Sequence, residues 1–569
     1  MKRIVAITLT LVMLLGCFAG CGGKTTGSET SAVPASDKAP ETISTPVEQT
    51  DSAAEPEALT SEAEPETVER TVITYPITDD VETFTMCYSV FGVINMMLEN
   101  GYTDAPIFQA MEDATGVRFE VEQMDLQTYQ EKLQLMIASD SLPDVVSGLL
   151  QVYTTGAGQA LDEEVIVDLA PYLDDCAPDY KAAIEAFDGG MASVTTDDGR
   201  MGAMYEIYSV DNAYSNGYFI RDDMLEATGL DLPTTPDELL EIGKAIRNSG
   251  VEYPIYVNSD GDETGLLIDL WYNQWGYMDW YWDAEAEHVE YSYVQDYNYD
   301  YIQWLREAWQ EGLFLSSGAS QMLALTTSFN DLFRIGAVAL FNGKASTIDE
   351  ELATLDKTTS VTAIPSFTGS NTEQGELQSI TGQIGVCISA GCEDVETVLK
   401  ALNYLYTDDG SFLSNYGQEG ESYTLVNGAP EYTDIVMNNP NVAQRFALAY
   451  YTNPVFPSKK DPYAVSYSWS EYAREASDIW RSAFTGAEAT FDETRITLTA
   501  DEQETISKYM SDLDTYCTET LYGFVYGVTE PTEAAFETFV NQCYDTLHLQ
   551  DILDVYTEAW LRYQQRLSA

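Results

Sequence analysis

The sequence predicts an α/β fold, and three observations carry that prediction. Segments with the two-residue period of strands alternate with segments of the 3.6-residue period of helices, in the order strand, helix, strand, helix, strand. The same alternation begins again further along the chain. Of 569 residues, 45% are hydrophobic and 12% aromatic, enough to bury a large core beneath an acidic surface, and the length allows two or three domains.

The N-terminus stands apart from this pattern. Met1-Lys2-Arg3 is positive, Ile4 to Leu15 is apolar apart from two threonines, and small residues lead into a cysteine at Phe18-Ala19-Gly20-Cys21. That order is a secretory signal peptide over residues 1–20, its apolar run well short of the roughly 20 residues a spanning helix needs. The residues before the cysteine resemble the lipobox of bacterial lipoproteins, in which the signal is cut before a cysteine that then carries diacylglycerol. Cys21 is the expected lipidation site, with Cys17, after Leu14-Leu15-Gly16, as the alternative. Residues 21–70 are rich in Thr, Ser, Ala, Glu and Pro and have no periodicity, so they read as a disordered acidic tether.

The folded part starts at Thr71-Val72-Ile73, and Glu82 to Cys87 alternates as a strand. Asp104 to Thr115 reads as a helix with Ile107, Phe108, Met111 and Ala114 on one face, stopped by Gly116. Val117, Phe119 and Val121 alternate as a strand. Tyr129, Leu133, Met136 and Ile137 mark the next helix, which Asp125 can cap, and Leu142 to Val146 turns into a short strand. The second layer opens at Tyr218-Phe219-Ile220. A helix follows to Gly229, and another starts at Thr235-Pro236-Asp237-Glu238, where cap, first-position proline and capping-box glutamate agree. Gly336 to Phe341 and Ile384 to Ser389 are buried-strand runs. Val395, Val398, Leu399, Leu402 and Leu405 form a helical stripe, and the chain beyond about 430 is mainly helical and rich in tyrosine.

Composition excludes several functions. With 26 Lys+Arg against 94 Asp+Glu, the formal net charge is −68. Nucleic acid needs a basic footprint, so it is not a partner, and strongly anionic ligands are disfavoured by long-range repulsion. Only His288 and His548 are present, which removes most catalytic triads and zinc sites. Six cysteines beyond the signal (Cys87, Cys176, Cys387, Cys392, Cys517, Cys543) show no zinc-site spacing and compel no disulfide. GxSxG, HExxH and P-loop motifs are absent. The expectation is a non-enzyme with no cofactor and no metal.

A series of segments carries a family resemblance. In order they are Ala105-Pro-Ile-Phe with Ala114-Thr-Gly-Val117-Arg-Phe-Glu, Tyr129 to Asp144, Tyr218 to Leu230 with Pro233 to Leu240, Gly336 to Phe341, and Tyr406-Thr-Asp-Asp-Gly-Ser411 with Asn415 to Tyr423. Across roughly residues 85–430 the chain resembles the extracellular solute-binding lipoproteins of ABC importers, in particular the large carbohydrate-type group, family 1, of Gram-positive bacteria. The resemblance implies a two-lobe periplasmic-binding-protein-like fold (type II) of discontinuous α/β lobes, joined by a hinge around a ligand cleft. On that basis 71–205 and 331–375 are assigned to lobe one, and 206–330 and 376–569 to lobe two. It also implies a monomer that closes on an oligosaccharide or other small molecule and docks on the ABC permease subunits, held to the outer face of the cell membrane by its lipid. Many members carry a calcium loop after the helix that here ends near Asn248. This chain has Gly250-Val-Glu-Tyr-Pro-Ile-Tyr256 there, and Asn258-Ser-Asp260-Gly-Asp262-Glu263 lacks the glycine and distal glutamate of such a loop, so calcium is not carried over.

Candidate ligand residues follow from chemistry. A sugar ring stacks its C–H face on indole and needs polar partners for its hydroxyls. Trp271 and Trp275, in a cluster with Trp280 and Trp282, are candidates, although their i, i+4 spacing equally suits a core helix. Tyr88 and Ser89 follow the first strand, and Asn342 follows another, at the strand ends where α/β clefts form. Arg221 is one of few cations and could bind hydroxyls, or pair with Asp222 or Asp223. Glu419 and Tyr423 lie in a Gly-flanked loop. Two alternatives stand beside the sugar receptor: a receptor for a peptide or other non-sugar solute, and a surface glycoside hydrolase, which would need only two carboxylates.

Overall fold

The structure is a computed structural model. It describes residues 71–90, 102–125, 128–153, 156–187, 189–207, 216–257, 279–316, 336–344, 359–365, 385–452, 456–461, 463–481 and 495–567, together with 275, 332–333, 348, 352, 367 and 491. The signal and tether, Cys17, Cys21, Trp271 and Asn258 to Glu263 lie outside the described residues.

Two sheets organise the chain. The first contains β1 (Glu82–Val90), β2 (Val117–Asp125), β3 (Val145–Ser147) and β11 (Val386–Ile388) in the order β11–β3–β1–β2. β1, β2 and β3 are parallel and β11 is antiparallel to β3. β1 is interior because β2 and β3 pair with its two edges, and both its faces are covered. Phe84, Met86 and Tyr88 pack with Ile107, Phe108 and Met111 of helix Pro106–Thr115 and with Leu399 and Leu402 of helix Val395–Asn403. On the other face Cys87, Met124 and Val146 meet Tyr129 and Leu133 of helix Tyr129–Ala138. The first helix begins with Pro106 and ends at Gly116, whose φ of 79° is the left-handed cap its sequence predicts.

The second sheet contains β4 (Asn216–Arg221), β5 (Tyr253–Val257), β8 (Phe314–Ser316), β9 (Val338–Lys344) and β10 (Val361–Ile364) in the order β10–β4–β9–β5–β8. β5, β8 and β9 are parallel, but β4 runs antiparallel to both β9 and β10. The strand expected to open a second parallel layer therefore runs against it. Leu239, Ile242 and Ile246 of helix Pro236–Asn248 and Tyr301 and Leu305 of helix Asp296–Gln310 cover one face, next to Ile220, Ile255 and Leu340. Ala473, Ala476 and Trp480 of helix Glu471–Arg481 cover the other, against Phe219, Tyr256 and Phe341. The helix at 236 is capped as expected on one side only. Thr235 accepts from the Glu238 N–H, while the Glu238 carboxylate turns to the N–H and hydroxyl of Thr234. Three further helices, Ala500–Tyr526, Glu533–Asp545 and Leu549–Leu567, extend this second core.

Strand pairing corrects the expected lobe boundaries. The segment 331–375 was assigned to the first lobe, yet β9 and β10 hydrogen-bond to β4 and β9 to β5, all in the second sheet. Conversely, 385 to about 464 was assigned to the second lobe, yet β11 completes the first sheet and helices Val395–Asn403, Asp408–Tyr416 and Gln444–Thr452 contribute Val398, Leu413 and Ala449 to its core. The chain thus passes between the lobes after Ile207, after Phe367 and through 464–469. Among the described residues no helix is long and apolar enough to cross a membrane, and all six described cysteines are buried free thiols.

Candidate functional site

In both lobes the parallel strands end on one side, and these ends define the candidate site. In the first lobe the rim is made by the ends of β1 and β2, where Ser89 is level with Met124, and by Ser147 at the end of β3. Gly148 continues that rim in a left-handed turn and donates its N–H to the Gly385 carbonyl. In the second lobe the register aligns Asn216 with Lys344, Gly217 with Gly343, Tyr218 with Asn342 and Val257 with Ser316. Because β4 is antiparallel, its first residues rather than its last lie at this rim.

That reversal decides the place of Arg221. It stands at the far end of β4, paired with Val361 in register. Its guanidinium is buried, donates to both Asp223 oxygens at 3.0 and 2.8 Å and to the Phe333 carbonyl at 2.9 Å, and lies 5.6 Å from the Phe333 ring centroid. The Arg221 fork holds the Asp223 carboxyl below its ordinary range despite opposing burial. Arg221 is a structural cation away from the rim, not the ligand contact first considered.

The other candidates are distributed as follows. Tyr88 is buried and stacks on Tyr102 at 5.5 Å, so its ring points into the core under the rim. Ser89, next in the strand, points to the opposite face and is half-buried. Asn342 lies within β9 rather than beyond it, opposite Tyr218. Trp275 packs on Tyr301 and Trp304 at 4.9 and 5.4 Å, and Trp280 of β6 (Trp280–Asp283) stacks on Tyr291 of its partner strand β7 (His288–Tyr291) at 4.2 Å. The described part of the tryptophan cluster thus belongs to the second core. Glu419 is exposed and bridges Tyr423, which packs with Tyr416 and Phe412 on a hairpin of β12 (Tyr423–Val426) and β13 (Ala429–Tyr432). Tyr432 in that hairpin donates to the Ala464 carbonyl, which places the pair beside the third chain crossing. Tyr88 with Ser89, and Glu419 with Tyr423, share the first lobe; Asn342 stands on the second.

Trp480 is a rim residue that the sequence reading passed over. Its indole lies directly on Gly217, where an added Cβ would come within 1.9 Å of the ring, and it meets Phe219 edge-on at 5.1 Å. Its Nε1–H is buried without a hydrogen-bond partner among the described residues. The signal was available in Ala473, Ala476 and Trp480 at i, i+3 and i+7, a stripe of two small residues and one large one.

The crossings themselves are stitched together. Ile207 donates its N–H to the Ser458 carbonyl and accepts from the Lys460 N–H, at 2.9 and 2.8 Å. Beside them Glu206 and Lys460 form a buried ion pair, Nζ to Oε1 at 3.1 Å, in ion-contact rather than hydrogen-bond geometry. Among the described residues, the carboxylates whose pKa moves, Asp198, Asp223, Glu238 and Glu502, all move down, the wrong direction for a general acid. Among the described residues no group of three or more His, Cys, Asp or Glu could hold a metal ion.

Comparison with known proteins gives a consistent result. The family model described as bacterial extracellular solute-binding protein matches residues 107–444. Lipoprotein LipO of Bacillus subtilis (strain 168) is 22% identical over 357 residues, 59% of this chain and 67% of its own length. Among solved structures, the alginate-binding protein AlgQ2 without calcium ion superposes with a TM-score of 0.66 at 19% identity, covering 85% of this chain and 98% of its own. The substrate-binding protein FusA of S. pneumoniae in complex with kestose gives 0.63 at 15% identity, with 85% and 100% coverage. An HMO-binding, ABC-transporter-associated solute-binding protein of Bifidobacterium longum infantis gives 0.63 at 15%, with 85% and 99%.

Proposed function

The chain belongs to the bacterial extracellular solute-binding protein family, and from that premise we propose that it captures a neutral oligosaccharide between its lobes. As a member it is a binding protein of an ABC transporter and not an enzyme. What supports the sugar class is the fold it shares with proteins named for binding alginate, kestose and HMO. What supports neutrality is the net charge of −68, which opposes an anionic chain such as alginate at long range.

In this reading the ligand lies across the strand ends, with Ser89 and Tyr88 below it in lobe one and Asn342, Gly217 and the Trp480 indole in lobe two. Glu419 and Tyr423 flank the mouth, and Trp271, which lies outside the described residues, is a further proposed contact. The protein works as a monomer, is made with a signal peptide over 1–20, and is anchored by lipid on Cys21, with Cys17 as the second choice. A thermal-shift panel tests the ligand class. Neutral tri- to pentasaccharides should raise Tm, since ligand at 100 times Kd adds about 2.7 kcal/mol to folded-state stability. Stabilisation by peptides alone would move the assignment to a non-sugar receptor.

A further inference from the structure

Among the described residues, one set of contacts besides the chain crossings joins the lobes. Helix Leu549–Leu567 belongs to lobe two, where Ile552, Leu553, Tyr556 and Trp560 are part of the core. Its last two turns reach residues 189–200, which are tied to lobe one. There Val194 is in the first core, Met201 donates its N–H to Asp168, Leu169 donates to the Met201 carbonyl, and Arg200 pairs with Asp162 at 2.9 Å.

The contacts across this junction are dense and polar. Arg566 Nη1 donates to the carbonyls of Ala192, Thr195 and Thr196 at 3.2, 2.8 and 3.2 Å, and its Nε lies 3.2 Å from Asp197 Oδ1. Arg562 donates from Nε to Asp197 Oδ2 at 2.9 Å. Its other two nitrogens hold the Glu502 carboxylate of lobe two at 2.7 Å each. Tyr563 and Ser193 share a hydrogen bond of 3.2 Å, and Leu567 lies over Gly189 so closely that a Cβ there would be 2.1 Å from it.

We propose that this arginine clasp is a fixed pivot of lobe motion. The chain crossings that leave lobe one beside the Ile207–Ser458–Lys460 stitch are the other fixed point, and the lobes rotate about the line joining the two. Two observations favour a pivot over a contact that opens. Opening would strip three backbone carbonyls and the partly buried Asp197 carboxylate of their partners at once. Both points also lie on one continuous stretch of lobe one, 189–207, and two fixed points leave a rigid lobe one rotation. The inference rests on the two-lobe fold and not on the class of ligand.

The test is ligand-free. Leu135 in lobe one and Val528 in lobe two are 69% and 84% exposed, so spin labels on Leu135→Cys and Val528→Cys report the inter-lobe distance while the six described native thiols stay buried. Removing the clasp with Arg562→Gln plus Arg566→Gln should broaden the distance distribution about 1.5-fold, with hydrogen exchange in β1 and β9 unchanged. An unchanged width overturns the proposal. So does a shift of the mean without broadening, since that is the behaviour of a contact made in only one lobe position. Asp197→Asn keeps both arginines and is judged by the same two criteria if the double variant loses protection in β1.

Discussion

Gly217 sets how closely helix Glu471–Arg481 approaches the second-lobe rim, because Trp480 occupies the space a side chain would need. Gly217→Ala should push that indole outward and destabilise the protein by about 1–3 kcal/mol, as overpacking does. Thermal denaturation measures the loss, and ligand affinity should fall with it if Trp480 bounds the site. Asn403 is a second such position. Its side-chain oxygen accepts from the Asp179 and Tyr180 N–H groups at the start of helix Pro178–Glu185, and its amide donates to Asp179 and to Tyr75. Asn403→Ala leaves two N–H donors without their acceptor and should cost about 1–3 kcal/mol in chemical denaturation. Neither role was legible beforehand, because both depend on partners far along the chain. The tryptophan cluster shows the same limit. Spacing allowed Trp275 either a core or a cleft, and only packing against Tyr301 and Trp304 decides for the core.

At the scale of elements, local signals were reliable where the physics is local. Gly116 and Gly229 stop their helices in the left-handed conformation, and Thr235 with Pro236 starts one. Strand partners were not legible. β9 reads plainly as a buried strand, but nothing within it says that β4 and β5 will flank it. The assignment of 331–375 to lobe one failed there, as did the expected place of Arg221. The C-terminal helices supply a prediction that depends on pH. Burial raises the Glu502 pKa, but the Arg562 fork and the Thr499 N–H outweigh it and leave the carboxyl below its ordinary value of 4.5. A lowered carboxylate pKa contributes stability that is complete above the unfolded value and is lost as pH falls through the folded one. Acidification below 4.5 should therefore loosen the contact between helices Ala500–Tyr526 and Leu549–Leu567. Glu502→Gln should flatten that part of the stability-against-pH curve while lowering stability at neutral pH.

For the whole molecule, the two-lobe α/β architecture followed from a series of individually weak segments in one order, and the family match over 107–444 agrees with it. The anchor reading makes a separate prediction. Cys21→Ser should release the protein into the medium, detected by fractionation, whereas retention on the membrane would move the lipid to Cys17. A released protein should still bind its ligand, because every proposed ligand contact lies beyond residue 70. The central claim, capture of a neutral oligosaccharide between the lobes, is tested most directly by isothermal titration with the neutral sugar that raises Tm most. The account predicts saturable one-to-one binding with no new reducing ends. Absence of binding across the neutral panel, together with saturable binding of a peptide or a uronate oligomer, would contradict it.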